Sequence, residues 1–384
     1  MDLAYFDNNA TTPLDPRAAE AMRPWLGERF GNPSSVHRFG QAAREAVEHA
    51  RCQVAALLGA DPLQVVFTAS GTEANNTVMA AIGRACQYRG ELVISQLEHP
   101  SVRVAAEQLA AAGMTVRRVA PGPDGVIDAG AVAAALSPET RLVALMLANN
   151  EVGTLQPVAE VAALCRSLGI PVLCDAVQAL GKVPVLVGEM GVDYLTVAAH
   201  KCHGPLGAAA LVVRPEAGFA PLLLGGGQER RRRAATENVA ALVGFGASSE
   251  SARLTLGPRG RHLTALRDRF EGGLSAIPDV VVHCQSSPRL PHTSHVAFLG
   301  VEAESLLVRL DLAGFAVSTG SACSSGVVEP SKTLLAMGIS PREALASLRI
   351  SFGMANSLDE VDRFLAVLPE EVSALRRLAP VARA

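Results

Sequence analysis

A mostly parallel α/β sheet covered by helices on both faces, followed by a smaller α+β domain, is the fold class this sequence predicts. Three observations carry that reading. Between about 60 and 215, short apolar runs alternate with amphipathic helical stretches. The runs are nearly continuous in Val, Leu, Ile and Ala, as strands buried on both faces require. From about 245 the pattern changes to one long helical stretch followed by scattered strand-like runs.

The predicted strands, in order, are VVFT (65–68), ELVIS (91–95), RLVALMLA (141–148), IPVLC (170–174), DYLTVAA (193–199) and AAALVV (208–213). Between them, SVRVAAEQLAAAG closes on Gly113 and VAEVAALCRSLG closes on Gly169. Glycine there fits a helix end, because its left-handed conformation carries no Cβ penalty. The later part reads as a long helix through RHLTALRDRFEGGLSAI, strands at VVVH and HVAFL, a helix near 302–312 and a helical tail from Asp359. The domains are placed at 13–250 for the large one, and at 1–12 with 251–384 for the small one.

Length and composition narrow the function class. A chain of 384 residues fits two domains, and a hydrophobic fraction of 49% excludes intrinsic disorder. A net charge of −3 leaves no global basic field for nucleic acid, and no apolar run is long enough to span a membrane. The opening MDLAYFDNNATT has neither a cationic region nor an apolar one, so a cytoplasmic protein without a signal peptide is expected. Seven cysteines without paired spacing argue against a disulfide framework. Cys52, Cys86, Cys165, Cys174 and Cys284 read as small buried hydrophobes. The run Arg230–Arg233 reads as a subunit-interface loop rather than a nucleic-acid patch.

In open α/β sheets, ligands bind beyond the carboxyl ends of the strands. Five consecutive strand ends here carry polar groups: Ser70-Gly71-Thr72, Glu98-His99, Asn149-Asn150-Glu151, Asp175 with Gln178, and His200-Lys201. A Ser-Gly-Thr helix start offers N–H groups and a positive dipole end to a phosphate. A desolvated lysine can form a Schiff base, an aspartate can keep a pyridine nitrogen protonated, and an imidazole can stack on a ring. Together these describe a pyridoxal-phosphate site.

Eleven collinear motifs then give the chain a resemblance. They are YFDNNATTPLD (5–15), GNPSSVH (31–37), FTASGTEANN (67–76), EHPSV (98–102), NNEVGTLQPV (149–158), DAVQALGK (175–182), HKCHGP (200–205), GGGQER (225–230), TENV (236–239), STGSACSSG (318–326) and EPS (329–331). The chain resembles the cysteine desulfurases of the NifS/IscS type, pyridoxal-phosphate enzymes of fold type I with an aspartate-aminotransferase-like, mostly parallel seven-stranded sheet.

The resemblance implies that Lys201 is the Schiff-base lysine, Asp175 holds the pyridine nitrogen, His99 stacks on the ring and Gln178 meets its phenolic oxygen. Gly71, Thr72, Ala198, Ala199 and His200 would line the phosphate, joined by Thr236 from a second subunit of a homodimer. Asn150 and Arg349 would grip the carboxylate of L-cysteine, Arg349 with a planar fork suited to it. Cys323 would be the nucleophile, carrying a persulfide to an iron–sulfur scaffold or other acceptor and acting as a metal ligand only in passing. Its Ser/Gly-rich surroundings read as an exposed loop. Cys202 is the weaker candidate nucleophile.

Four positions depart from the family pattern. Ala198 replaces the usual Ser, removing a hydroxyl from the phosphate, and Arg231 is a candidate to compensate. Arg231 and Ala235 stand where glycines are common, and Met354 where an arginine is. The EPSKTLLAMG context and the ending LRRLAPVARA lean toward the nitrogen-fixation branch. The other readings are a selenocysteine lyase or other enzyme of the same fold, and a non-catalytic paralogue acting as an assembly scaffold.

Overall fold

The structure, a computed structural model, describes residues 3–320 and 329–378. Strands β2 (Val65–Thr68), β3 (Glu91–Ser95), β4 (Thr115–Val119), β5 (Thr140–Ala144), β6 (Val172–Asp175), β7 (Tyr194–Ala198) and β8 (Ala209–Val213) form one sheet, in the order β2-β8-β7-β6-β5-β3-β4. All pairings are parallel except those of β8, which is antiparallel to both β2 and β7.

Alternate residues of each strand enter different cores. Val65, Phe67, Val93, Leu195 and Val197 join one apolar cluster, while Val66, Leu92, Ile94 and Tyr194 join another on the opposite face. That period of two explains the continuous apolar runs: both faces are covered. The helix Arg38–Leu58 covers the first face, and the helices Gly71–Ala85 and Pro100–Ala111 the second.

The sequence reading misses β4. Its residues, TVRRV, bury only Val119 fully, and Arg117 pairs across the ladder with Glu91 at 2.7 Å. As an edge strand it carries charge where the interior strands carry Val and Leu, so it lacks their signature. The helix Ala129–Ala135 is likewise absent from the sequence reading. Three cysteines differ from expectation: Cys52 is exposed on its helix and Cys86 and Cys284 are half-buried, whereas Cys165 and Cys174 are buried as read.

A third cluster gathers Phe6, Phe270, Phe315, Phe352 and Phe364. Phe6 lies 5.2 Å from Phe352 and 5.4 Å from Phe364, edge to face. Beside it lie the sheet of β9 (Val280–Val282), β10 (Thr293–Phe298) and β12 (Ser347–Ser351), and the parallel pair of β1 (Ala4–Tyr5) with β11 (Phe315–Ala316). The N-terminal segment therefore packs with the late part of the chain.

One helix, Val239–Gly273, joins the two regions. Ala241, Leu242, Phe245 and Ala252 belong to the first cluster, and Leu263, Leu266 and Phe270 to the phenylalanine cluster. The change of partner falls around Pro258, inside the unbroken helix, so position 250 lies within a single element.

The segment GGGQERRRRAATENV holds a strained backbone. Glu229, Arg230 and Arg231 have φ of 48°, 57° and 65°, and Ala235 has φ of 98°. Such positions cost about 1–2 kcal/mol each for a residue with a Cβ. Glu229 offsets this. Its buried carboxylate pairs bidentately with Arg51 at 2.7 Å on both oxygens and accepts the Phe67 N–H at 2.8 Å. Ala235→Gly should stabilise the protein by about 1 kcal/mol, read as a higher denaturant midpoint at unchanged slope. An unchanged or lowered midpoint would show that the backbone there is not strained.

Candidate active site

Beyond the carboxyl ends of β2, β3, β5, β6 and β7 lies a cavity of about 780 Å³, closed on the far side by Arg349 from β12. Gly71, Thr72, His99, Asn150, Asp175, Gln178, Ala198, His200, Lys201 and Arg349 all border it. The five strand ends singled out in the sequence therefore converge on one space.

The anion end is built on the helix Gly71–Ala85. Ser70 caps it, accepting the Glu73 N–H at 3.0 Å. A Cβ at position 71 would lie 2.9 Å from Val177 Cγ2, so glycine is needed where backbone N–H groups meet the cavity. Nearby, His200 Nδ1 lies 3.3 Å from Thr11 Oγ1. Burial lowers the His200 pKa to about 4, leaving a neutral ring.

Lys201 follows β7 in a single tight turn. Its Nζ donates to the Asn9 carbonyl and, at 2.6 Å, to the Ala10 carbonyl. Burial, then Arg349, lowers its pKa from 10.5 to about 8, against the opposite pull of Asp7 and Asp175. Asp175 ends β6, and its carboxylate accepts from Asn75 Nδ2 at 2.7 Å and from the Val177 N–H at 3.0 Å. His99 caps the helix Pro100–Ala111, its Nδ1 2.8 Å from Ser101 Oγ. Burial lowers the His99 pKa although Asp175 pulls the other way.

Arg349 donates to the Asn150 carbonyl at 2.9 Å and to Asp7 at 2.6 Å, while its Nε is buried without a partner. An orphaned guanidinium nitrogen at a cavity wall suits a ligand carboxylate. Glu98 is buried too, with one oxygen on the Met146 N–H at 2.7 Å and the other unpartnered. Burial raises its pKa to about 8, so it is a neutral acid at pH 7.

The sequence reading overlooks Lys182. It is fully buried and donates to the Gln178 carbonyl at 3.0 Å and to Gln178 Oε1 at 3.3 Å. Gln178 Nε2 in turn donates to the Asn9 carbonyl that Lys201 also uses. Burial, then Lys201, lowers the Lys182 pKa to about 7. In DAVQALGK, Lys182 stands four residues after Gln178, but nothing in that spacing marks a buried amine.

Other expected residues lie elsewhere. Ala199 is buried with its N–H on the Ala208 carbonyl and does not reach the cavity. Thr236 is exposed outside it, and so is Arg231. Within one chain, therefore, Arg231 supplies no compensation for Ala198. Its neighbours are held locally, Arg230 by Glu48 at 3.2 Å and Arg233 by Glu73 at 2.8 Å. Cys323 lies outside the described residues. Cys202 is buried away from the cavity, and burial raises its pKa, so it is no nucleophile.

A Gly71 cradle at a helix start, a desolvated amine, a carboxylate at a strand end and an orphaned guanidinium fit pyridoxal phosphate and an amino-acid substrate. The aminotransferase class-V family matches residues 4–364, and the chain belongs to it. Members of this family use pyridoxal phosphate. The chain is similar to a cysteine desulfurase of Klebsiella pneumoniae, 43% identical over 99% of this chain and 95% of that protein. It is 39% identical to the cysteine desulfurase IscS of Dictyoglomus turgidum, over 98% and 96% of the two chains. Among solved structures, a NifS-like protein superposes with a TM-score of 0.91 at 34% identity, covering 97% of this chain and all of that one. A structure described as SspA in complex with cysteine gives 0.81 at 31% identity, covering 91% and 98%.

Capture of pyridoxal phosphate by cofactor-free protein needs the neutral Lys201 amine. With a pKa near 8, the neutral fraction rises from roughly a tenth at pH 7 to nine-tenths at pH 9. The capture rate, followed by absorbance, should rise about tenfold over that range and level off. A rate still climbing steeply above pH 9.5 would show an ordinary lysine.

Proposed function

We infer that this chain is a pyridoxal-phosphate-dependent cysteine desulfurase. It takes L-cysteine to L-alanine and leaves the sulfur as a persulfide on Cys323. The observation that carries the reading is the convergence of Lys201, Asp175, His99 and Arg349 on one cavity, in a chain whose relatives bear that name along nearly their whole length.

Bound pyridoxal phosphate supplies an electron sink conjugated to the substrate's α-carbon. The residues here do the rest. Gly71 and Thr72 bind the phosphate through backbone donors, and His200 stands beside them as a neutral ring. Asp175 holds the proton on the ring nitrogen. Arg349, with Asn150 at its side, orients the substrate carboxylate through its unpartnered Nε. Lys201, poised near neutrality by burial, moves the Cα proton. His99, neutral and fixed by Ser101, would stack on the cofactor ring and can share that proton. The Cys323 thiolate forms a bond to the substrate sulfur as the Cβ–S bond breaks. The balance is cysteine plus thiol to alanine plus persulfide, with no external oxidant.

A homodimer completes the site in this reading, Thr236 crossing from the second subunit to the phosphate. The persulfide passes to an iron–sulfur scaffold or another sulfur acceptor in the cytoplasm, including one that serves nitrogenase. No helix among the described residues is long and apolar enough to cross a membrane.

Lys201→Ala should lower alanine production by at least about 100-fold, the usual contribution of a positioned acid–base group. Normal alanine production by that variant would overturn the assignment of Lys201. Cys323→Ala should retain the cofactor absorbance while losing the persulfide. Peptide mass mapping after cysteine treatment reads this, and extra sulfur found on Cys202 would sink it.

A further inference from the structure

Lys201 also borders a second, far smaller cavity of about 10 Å³. Lys182, Cys202, His203, Arg259 and His292 share its wall, and no carboxylate does. Among the described residues, no carboxylate lies within ion-pair distance of Arg259, a side chain 5% exposed whose Nε has no hydrogen-bond partner. The nearby thiol of Cys202 is a poor substitute. His292 is fully buried, and neither ring nitrogen has a partner. Lys182 spends two of its three N–H groups on Gln178. Asp15, the acid felt by Cys202 and His203, is taken by Ser251 Oγ at 2.7 Å and the Arg17 N–H at 2.7 Å.

Interiors rarely leave several polar atoms orphaned together, and they pair their buried charges. A space of this size admits one small occupant. Water would meet the hydrogen bonds and leave the charge of the guanidinium uncompensated. A monatomic anion answers both needs, accepting from Arg259, from the third Lys182 N–H and from one His292 nitrogen. We propose that this cavity is a halide site, holding chloride among Arg259, Lys182 and His292.

The site's position gives the ion a structural task. Lys182 and Cys202 come from the sheet side, whereas His292 and Phe352 adjoin β10 and β12. Arg259 leaves the long helix just where its packing changes from one core to the other. Chloride there ties elements of both cores together beneath the lysine.

The test is thermal unfolding of the purified holoenzyme at fixed ionic strength, with sodium chloride replacing sodium gluconate. The melting temperature should rise by roughly 2 °C or more and saturate with chloride. Arg259→Met should abolish the dependence. Should that variant fail to fold, His292→Asn should raise the half-saturating chloride concentration several-fold. Crystals grown in sodium bromide should show an anomalous peak in contact with Arg259. Equal melting in the two salts, or an ordered water only in the cavity of the bromide crystals, would overturn the proposal.

Discussion

The backbone carbonyl of Asn9 is the point on which the site depends. It accepts from both Lys201 Nζ and Gln178 Nε2. The Asn9 side chain donates to the Asn150 carbonyl at 3.2 Å and to Thr293 Oγ1 at 3.0 Å, and its own N–H is held by Ser351 Oγ at 2.9 Å. Three residues earlier, Phe6 is buried in the phenylalanine cluster, and three residues later the Thr12 N–H meets the His200 carbonyl. A segment from the start of the chain therefore fixes the lysine, the glutamine and the wall of Asn150 and Arg349 relative to one another. Asp7, in the same segment, sets Arg349. The spacing between amine and guanidinium rests on the segment Phe6–Thr12 rather than on either core alone.

The electrostatics of the cavity follow from burial acting on cations. Lys201, Lys182 and His200 all have lowered pKa values with desolvation as the first cause. Buried cations repel as well as lose solvent, and Lys182 and Lys201 each count the other or Arg349 among the groups opposing their charge. Asp175 and Asp7 pull back on Lys201. The result is an amine near neutrality beside a carboxylate that stays on the strand end by two hydrogen bonds. A desolvated amine near neutrality is what acid–base chemistry at neutral pH requires.

What the sequence revealed follows from how strongly each feature is written into local chemistry. Strands such as ELVIS and VVFT are continuous apolar runs because both their faces are covered, VVFT even at the β2 edge of the sheet, and their bounds coincide with the structure. TVRRV, at the opposite edge, leaves four of its five residues at least partly exposed and so carries no such run. The rim residues were legible because glycine, aspartate and lysine at strand ends imply phosphate, ring nitrogen and amine chemistry. Lys182 was not, since a lysine inside a helical turn ordinarily faces solvent and only packing buries it. Glu98 was read as part of a motif, and its neutral state follows from burial that no local pattern encodes. Arg259 and His292 lie 33 residues apart and meet only through the fold.

The strained loop at 229–235 joins these themes. Glu229 is anchored from within by Arg51, and Arg233 grips both oxygens of Glu73 at 2.8 and 3.1 Å. Glu73 is the third residue of the helix whose start forms the anion cradle, and its carboxylate also accepts the Ala69 N–H at 3.0 Å. The loop that presents Thr236 outward is thus clamped to the turn that presents Gly71 inward. Four left-handed residues keep that clamp short, and a relaxed backbone would let the loop drift from the helix start. Strain there is tolerated because two carboxylate–guanidinium pairs, one of them buried, over-determine the geometry. The outward face of the cradle is set by the chain's own charges.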